Sequence, residues 1–144
     1  MIGKTARTVM LIAAAVLVIG AVVLNFVLDS RGGYTELITA LEGFGYTVEM
    51  DDVILADSRT ECTVDELLEE ADKTEGVAAS RRAGFPSDIY KSGTVDLLLV
   101  VCEEAQTGEP VVITLFVLDG SIELAFVQYS DEGGTVRIKA LGES

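Results

Sequence analysis

The sequence contains no histidine and no tryptophan, and only two cysteines and two prolines among its 144 residues. Without His, every Ser/His and Cys/His nucleophilic arrangement is excluded, and so is the commonest zinc ligand set. Basic residues are scarce as well. Ten Lys and Arg stand against 24 Asp and Glu, a formal charge of −14. Nucleic-acid binding rests on Lys and Arg neutralising phosphates, so that partner class is excluded too. Catalytic motifs are missing: there is no P-loop, no G-x-S-x-G elbow and no dinucleotide fingerprint. Ser87 and Lys91 stand four apart rather than in S-x-x-K. Carboxylates are abundant, yet no pair among them is set off as a tuned acid and base. These absences predict a chain that is not an enzyme and holds neither cofactor nor metal.

What is present is apolar content, at 49% with a mean hydropathy of +0.42, high for so acidic a chain. The excess is concentrated at the N-terminus. Val9–Leu28 is 20 residues long and carries no charge, and Asn25 is its one strongly polar residue. At ~1.5 Å per residue that run spans ~30 Å, the thickness of a bilayer's hydrocarbon core. Lys4 and Arg7 precede it, and the first acid of the chain is Asp29. The positive-inside rule then predicts a cytoplasmic tail at 1–8, a transmembrane helix at 9–28 and the remainder outside the cytoplasm. A cleaved signal peptide is the competing reading. Its apolar region is usually shorter and ends at a small-residue site, which Asn25-Phe26-Val27-Leu28-Asp29 does not offer.

With that segment set aside, residues 29–144 hold eight bases and 24 acids, a net of −16. Such a surface repels anionic headgroups and keeps the domain soluble. Residues 29–33, with Gly32 and Gly33, read as a hinge. From 34 to 144 the sequence predicts an extracytoplasmic α+β domain. Tyr34, Leu37, Ile38 and Leu41 form one stripe of a short helix, with Gly43 in the place of its C-terminal cap. Tyr46, Val48 and Met50 then alternate with polar residues as in a half-buried strand.

Thr63-Val64-Asp65-Glu66 fits a capping box and opens a second helix, with Val64, Leu67, Leu68 and Ala71 on its apolar side and Cys62 as a staple before it. Its other side shows Asp65, Glu66, Glu69, Glu70 and Asp72, which fit no calcium loop pattern. Gly76, Gly84, Pro86 and Gly93 predict an irregular linker over 76–93. Val95–Cys102 and Val111–Leu118 are nearly continuous aliphatic runs, which predict central strands covered on both faces. Asp119-Gly120 is a two-residue hairpin signal. Ile122, Leu124 and Phe126 share one face of the next strand. After Asp131-Glu132-Gly133-Gly134, Val136–Ala140 reads as an outer strand whose Arg137 and Lys139 blunt the sheet edge. The predicted fold is an antiparallel meander, joined by the strand near Tyr46, with two short helices packed on it.

Two groups of residues stand out as candidate sites. Arg81, Arg82 and Lys91 lie together in the 76–93 segment and could contact an anion; pairing with the surrounding acids is the plainer reading. Cys62 and Cys102 fall in a compartment that permits disulfides. A bridge would close a loop of about 40 residues and contribute roughly 3–4 kcal/mol. Each also sits in an apolar context that accounts for a buried free thiol.

Two stretches resemble a small membrane-anchored domain family of unknown function from Gram-positive bacteria, over about residues 34–129. They are Leu41-Glu42-Gly43-Phe44-Gly45-Tyr46-Thr47-Val48 and Gly84-Phe85-Pro86-Ser87-Asp88-Ile89-Tyr90-Lys91-Ser92-Gly93. The resemblance implies a fold and a membrane location, and no activity. The expected role is binding or assembly at the outer membrane surface, with a protein partner there and the bilayer as partner of residues 9–28. A cell-surface hydrolase or ligand-processing domain is the alternative, betrayed by a deep pocket with convergent polar groups. A pilin-like assembly subunit is a lesser alternative, because no acid occurs before Asp29.

Overall fold

A computed structural model describes residues 34–70 and 72–143. The expected anchor at 9–28, the tail before it, the hinge at 29–33 and Ala71 lie outside the described residues. Among the described residues no helix is long and apolar enough to cross a membrane.

The first apolar stripe forms helix α1, Thr35–Phe44, which buries Leu37, Leu41 and Phe44. Those positions follow i, i+4, i+7, and burying Phe44 carries the helix past Gly43. The cap is therefore Gly45, not Gly43: it sits at φ 105°, and its N–H returns to the carbonyls of Leu41 and Glu42. The expected strand after it is short. β1 is Tyr46–Thr47 alone. Tyr46 and Val48 are buried as the alternation requires, but Met50 is exposed in a 3-10 turn, Met50–Asp52. The Asp52 carboxylate accepts the Glu49 N–H at 2.9 Å there and fixes the turn.

β2, Val53–Thr63, is a strand that hydrophobic periodicity does not announce. It lies at a sheet edge, and Cys62 is its one buried residue. Two bulges break its register with the neighbouring strand, one between Leu55 and Asp57 and one between Arg59 and Cys62. Bulges and charged residues are the usual protection of such an edge.

The capping box forms as expected. Thr63 N–H donates to the Glu66 carboxylate at 2.7 Å, and the Thr63 hydroxyl accepts the Glu66 N–H at 3.3 Å. The helix it opens, α2, is only Val64–Leu67, and Leu68 is already extended. A continuous helix would have stacked Asp65, Glu66, Glu69 and Glu70 at three- and four-residue spacing, where like charges destabilise. The break lets Lys73 reach Asp65, eight residues back, at 3.1 Å, alongside its i,i+3 contact with Glu70 at 3.2 Å.

The expected linker over 76–93 is half wrong, since α3 runs Asp72–Arg82. Gly76 lies inside it because the helix presses onto Phe126: a Cβ at Gly76 would meet the ring at 2.9 Å. Tertiary contact overrides the poor helix propensity of glycine here. Gly84, at φ 95°, ends the turn, with its N–H on the Arg81 carbonyl.

The terminal meander is β3 (Ser92–Glu104), β4 (Pro110–Leu118), β5 (Ser121–Ser130) and β6 (Val136–Lys139). All pairings are antiparallel, and β1 and β2 pair with successive lengths of the remaining edge of β3. Asp119 and Gly120 form the hairpin turn at φ 50° and 82°, as a two-residue turn requires. The Asp119 carboxylate also accepts the Thr94 N–H at 2.8 Å. β5 departs from the one-sided pattern: Glu123, Ala125 and Val127 are buried along with Ile122, Leu124 and Phe126. It is covered on both faces.

The sheet curls. Lys139 of β6 reaches Glu104 of β3 at 2.8 Å, although β4 and β5 separate the two strands. Tyr46 closes the same side by accepting the Gly142 N–H on its hydroxyl at 3.0 Å. The inner face carries Leu98, Val100, Cys102, Val111, Ile113, Leu115, Ala125 and Val127, all buried. Leu37, Leu41, Phe44, Ala140 and Leu141 belong to the same core.

Candidate functional site

Residues of a strand alternate between the two faces of a sheet. On the outer face the register therefore aligns Leu97, Phe116 and Leu124, then Leu99, Thr114 and Phe126, then Val101, Val112 and Gln128. The half of this face beside the Asp119-Gly120 turn is covered. α3 packs on β5 there, and Phe116, Leu124, Phe126 and Thr114 are all buried.

Polar groups complete that cover. β6 pairs only with Val127–Ser130, so among the described residues the earlier part of β5 has an edge without a strand neighbour. Ser80 of α3 accepts the Ala125 N–H at 3.0 Å, and the Ser87 N–H donates to the Glu123 carbonyl at 2.7 Å. The Ser87 hydroxyl lies 2.7 Å from that of Ser80, and the Glu123 carboxylate accepts the Asp88 N–H at 2.9 Å. Ser80, Ser87 and Glu123 are buried. Their hydrogen bonds seal a strand edge, which gives these polar residues a structural role.

No described element covers the other half of the outer face. Val101, Glu109, Pro110, Val111, Val112, Gln128, Tyr129, Ser130 and Val136 line a groove of about 520 Å³. Val101 is 49% exposed and Val136 64%. This corrects the expectation that β3 and β4 are covered on both faces: the contacts of α3 with the sheet fall on β5 and β6, and Val101 of β3 stands exposed. Among the described residues no lysine or arginine lines the groove, and Glu109 is the one charged residue that does. Val101 and Val112 belong to aliphatic runs that read as core in sequence. Only the register, which places them on the face that α3 leaves open, shows otherwise.

Comparison of the chain with protein-family models, with curated proteins and with solved structures finds no match. The groove and the side chains around it therefore speak for themselves.

The candidate sites from sequence are not assembled around this groove. Cys62 pairs in the sheet with Gly93, and Cys102 lies nine positions further along β3. At ~3.3 Å per residue they are about 30 Å apart, whereas a disulfide needs Cα atoms within ~7 Å. The bridge is excluded in this fold, and both cysteines are free and buried. Burial pushes the Cys102 thiol up to about 11, and the carboxylates of Asp52, Glu103 and Glu104 push the same way. Thiolate, the reactive form, is correspondingly scarce at neutral pH.

Arg81 and Arg82 close the last turn of α3, where positive charge suits the helix dipole. Arg82 meets Glu143 at 3.2 Å. Lys91 lies in the segment leading into β3 and is exposed. Among the described residues no group of three or more His, Cys, Asp or Glu side chains is arranged to hold a metal ion.

Proposed function

We propose that this chain is a single-pass membrane protein whose acidic α+β domain, residues 34–144, binds or assembles with another protein outside the cytoplasm, without catalysis. The anchor rests on Val9–Leu28 and on Lys4 and Arg7 before it. The binding role is carried by one observation: a domain with 23 acids leaves an aliphatic groove open on its sheet. Contiguous exposed apolar surface beside polar surroundings is the usual mark of an interaction site. The hydrolase reading draws no support from this groove, whose described lining is mainly valine and proline. The resemblance to a small membrane-anchored family agrees with the location and adds no activity.

The test has two parts. High-salt washing is expected to leave the protein in the membrane fraction, and a membrane-impermeant amine reagent is expected to label the domain in intact cells. Recovery of the domain in the medium, beginning after Leu28, would replace the anchor with a cleaved signal. A photocrosslinker at Val136 is expected to give a discrete heavier species in membranes. One at exposed Tyr90, outside the groove lining, is expected not to. Equal yields from both positions would remove the groove from the binding role.

A further inference from the structure

We propose that the groove on the bare half of the outer face takes a basic, apolar segment of another polypeptide. The inference rests on the binding role above and names the chemistry of the partner. The lining selects aliphatic side chains, since Val101, Val112, Pro110 and Val136 supply much of it. From β3 to β6 the face spans three strand spacings, about 14 Å, room for roughly four extended residues at ~3.3 Å each. The volume of about 520 Å³ falls within the ~300–1,000 Å³ usual for a ligand site.

Charge selects the flanks of that segment. Glu109 stands on the groove wall, and Glu103 shares the outer face with Val101, opposite Pro110 in the register. Neither is in a salt bridge among the described residues. The cations of the adjoining β6 are already engaged, Arg137 by Asp131 at 2.9 Å and Lys139 by Glu104 at 2.8 Å. The potential at the groove is therefore negative, within a region of net charge −16.

The same charges argue against two other occupants. A second copy docking by the same face would bring Glu103 and Glu109 of both copies into one interface with no lysine or arginine among the described groove residues to offset them. An anionic lipid surface is repelled for the same reason. A segment with Lys or Arg on either side of a few valine- or leucine-like residues satisfies both the lining and the rim, and charge steering speeds its approach.

The experiment uses the full-length chain in nonionic detergent and a fluorescent nonapeptide probe, Lys-Lys-Val-Thr-Val-Thr-Val-Lys-Lys. A control peptide carries Glu in place of each Lys. Anisotropy is expected to show saturable binding of the basic probe and at least tenfold weaker binding of the acidic one. Val101→Ser with Val136→Ser, both at exposed positions, should weaken the basic probe at least tenfold with the circular dichroism spectrum unchanged. Glu103→Gln with Glu109→Gln should weaken it severalfold and flatten its salt dependence. Tyr90→Ser should leave it unchanged. Equal affinity for the two peptides, or indifference to the valine substitutions, overturns the proposal. Self-association of the chain alone that Val101→Ser abolishes assigns the groove to a second copy and overturns it as well. A chain that stays in the membrane with its domain outside, yet ignores the probe, overturns this inference alone.

Discussion

The two halves of the sheet's outer face are made by the same strands from similar residues, and they end in opposite states. Beside the Asp119-Gly120 turn, Phe116, Leu124 and Phe126 are buried, with α3 packed on β5 and pressed onto Phe126. Toward the other end, Val101 and Val136 stand in solvent along a groove. Nothing local separates Val112 from Phe116, since both belong to one aliphatic run of β4. The difference comes from reach. α3 is 11 residues long, about 16 Å, and its contacts in the sheet fall on β5 and β6. Burial on this face is a property of the cover and not of the strand.

The comparison can be broken most sharply at Phe126, the residue on which Gly76 lets α3 close. Phe126→Ala leaves a cavity under the helix and is expected to cost about 3–5 kcal/mol. Urea unfolding of the detergent-solubilised chain, followed by circular dichroism, measures it. A cost near that of a surface change would mean that α3 does not depend on this contact.

Ser80→Ala tests the polar half of the cover. Its hydroxyl is the acceptor for the Ala125 N–H and the partner of Ser87. Removing it strands a buried donor, at about 1–3 kcal/mol. The Ala125 amide should also exchange its hydrogen faster than the Val127 amide, and equal protection of the two would refute the assignment.

These features differ in how far they could be read in advance, and the reason is range. Thr63 with Glu66, and Asp119 with Gly120, act within four residues, so their chemistry is written in the local sequence. The stripe Leu37–Leu41 is legible for the same reason. β2 was not, because Asp57, Ser58, Arg59 and Thr60 face no core and bulges interrupt its pairing. α3 was not, because the permission for Gly76 comes from Phe126, fifty residues away. The groove is the extreme case. It exists only where the register places residues of β3, β4 and β5 on a face of which α3 covers part, and α3 is itself not legible in the local sequence.

Away from that face, Thr63→Ala deletes the oxygen of the capping box and is expected to cost about 1 kcal/mol. The box also carries a pH dependence. Hydrogen bonds from the Thr63 N–H, the Cys62 thiol and the Thr63 hydroxyl hold the Glu66 carboxyl below the usual carboxylate range. A lowered folded pKa means that the stabilisation is present above the unfolded value, ~4.3, and is lost as pH falls through the lower folded value. Glu66→Gln should therefore shrink the difference in stability between pH 6 and pH 3. An unchanged acid limb would show that the cap contributes nothing through charge.

The smallest expected effect is the most telling for the bare half. Val136→Thr keeps the β-branched shape and removes apolar character from a side chain that is 64% exposed. Surface changes of this kind stay within about 0.5 kcal/mol, and the unfolding midpoint should hardly move. The same substitution buried beneath α3 would remove apolar contact and bury a hydroxyl in need of a partner. A destabilisation above 1 kcal/mol would mean that Val136 is covered in the folded chain, and the groove would cease to be a free surface. If stability holds while the basic probe binds more weakly, the valine is kept there for what it touches outside the molecule.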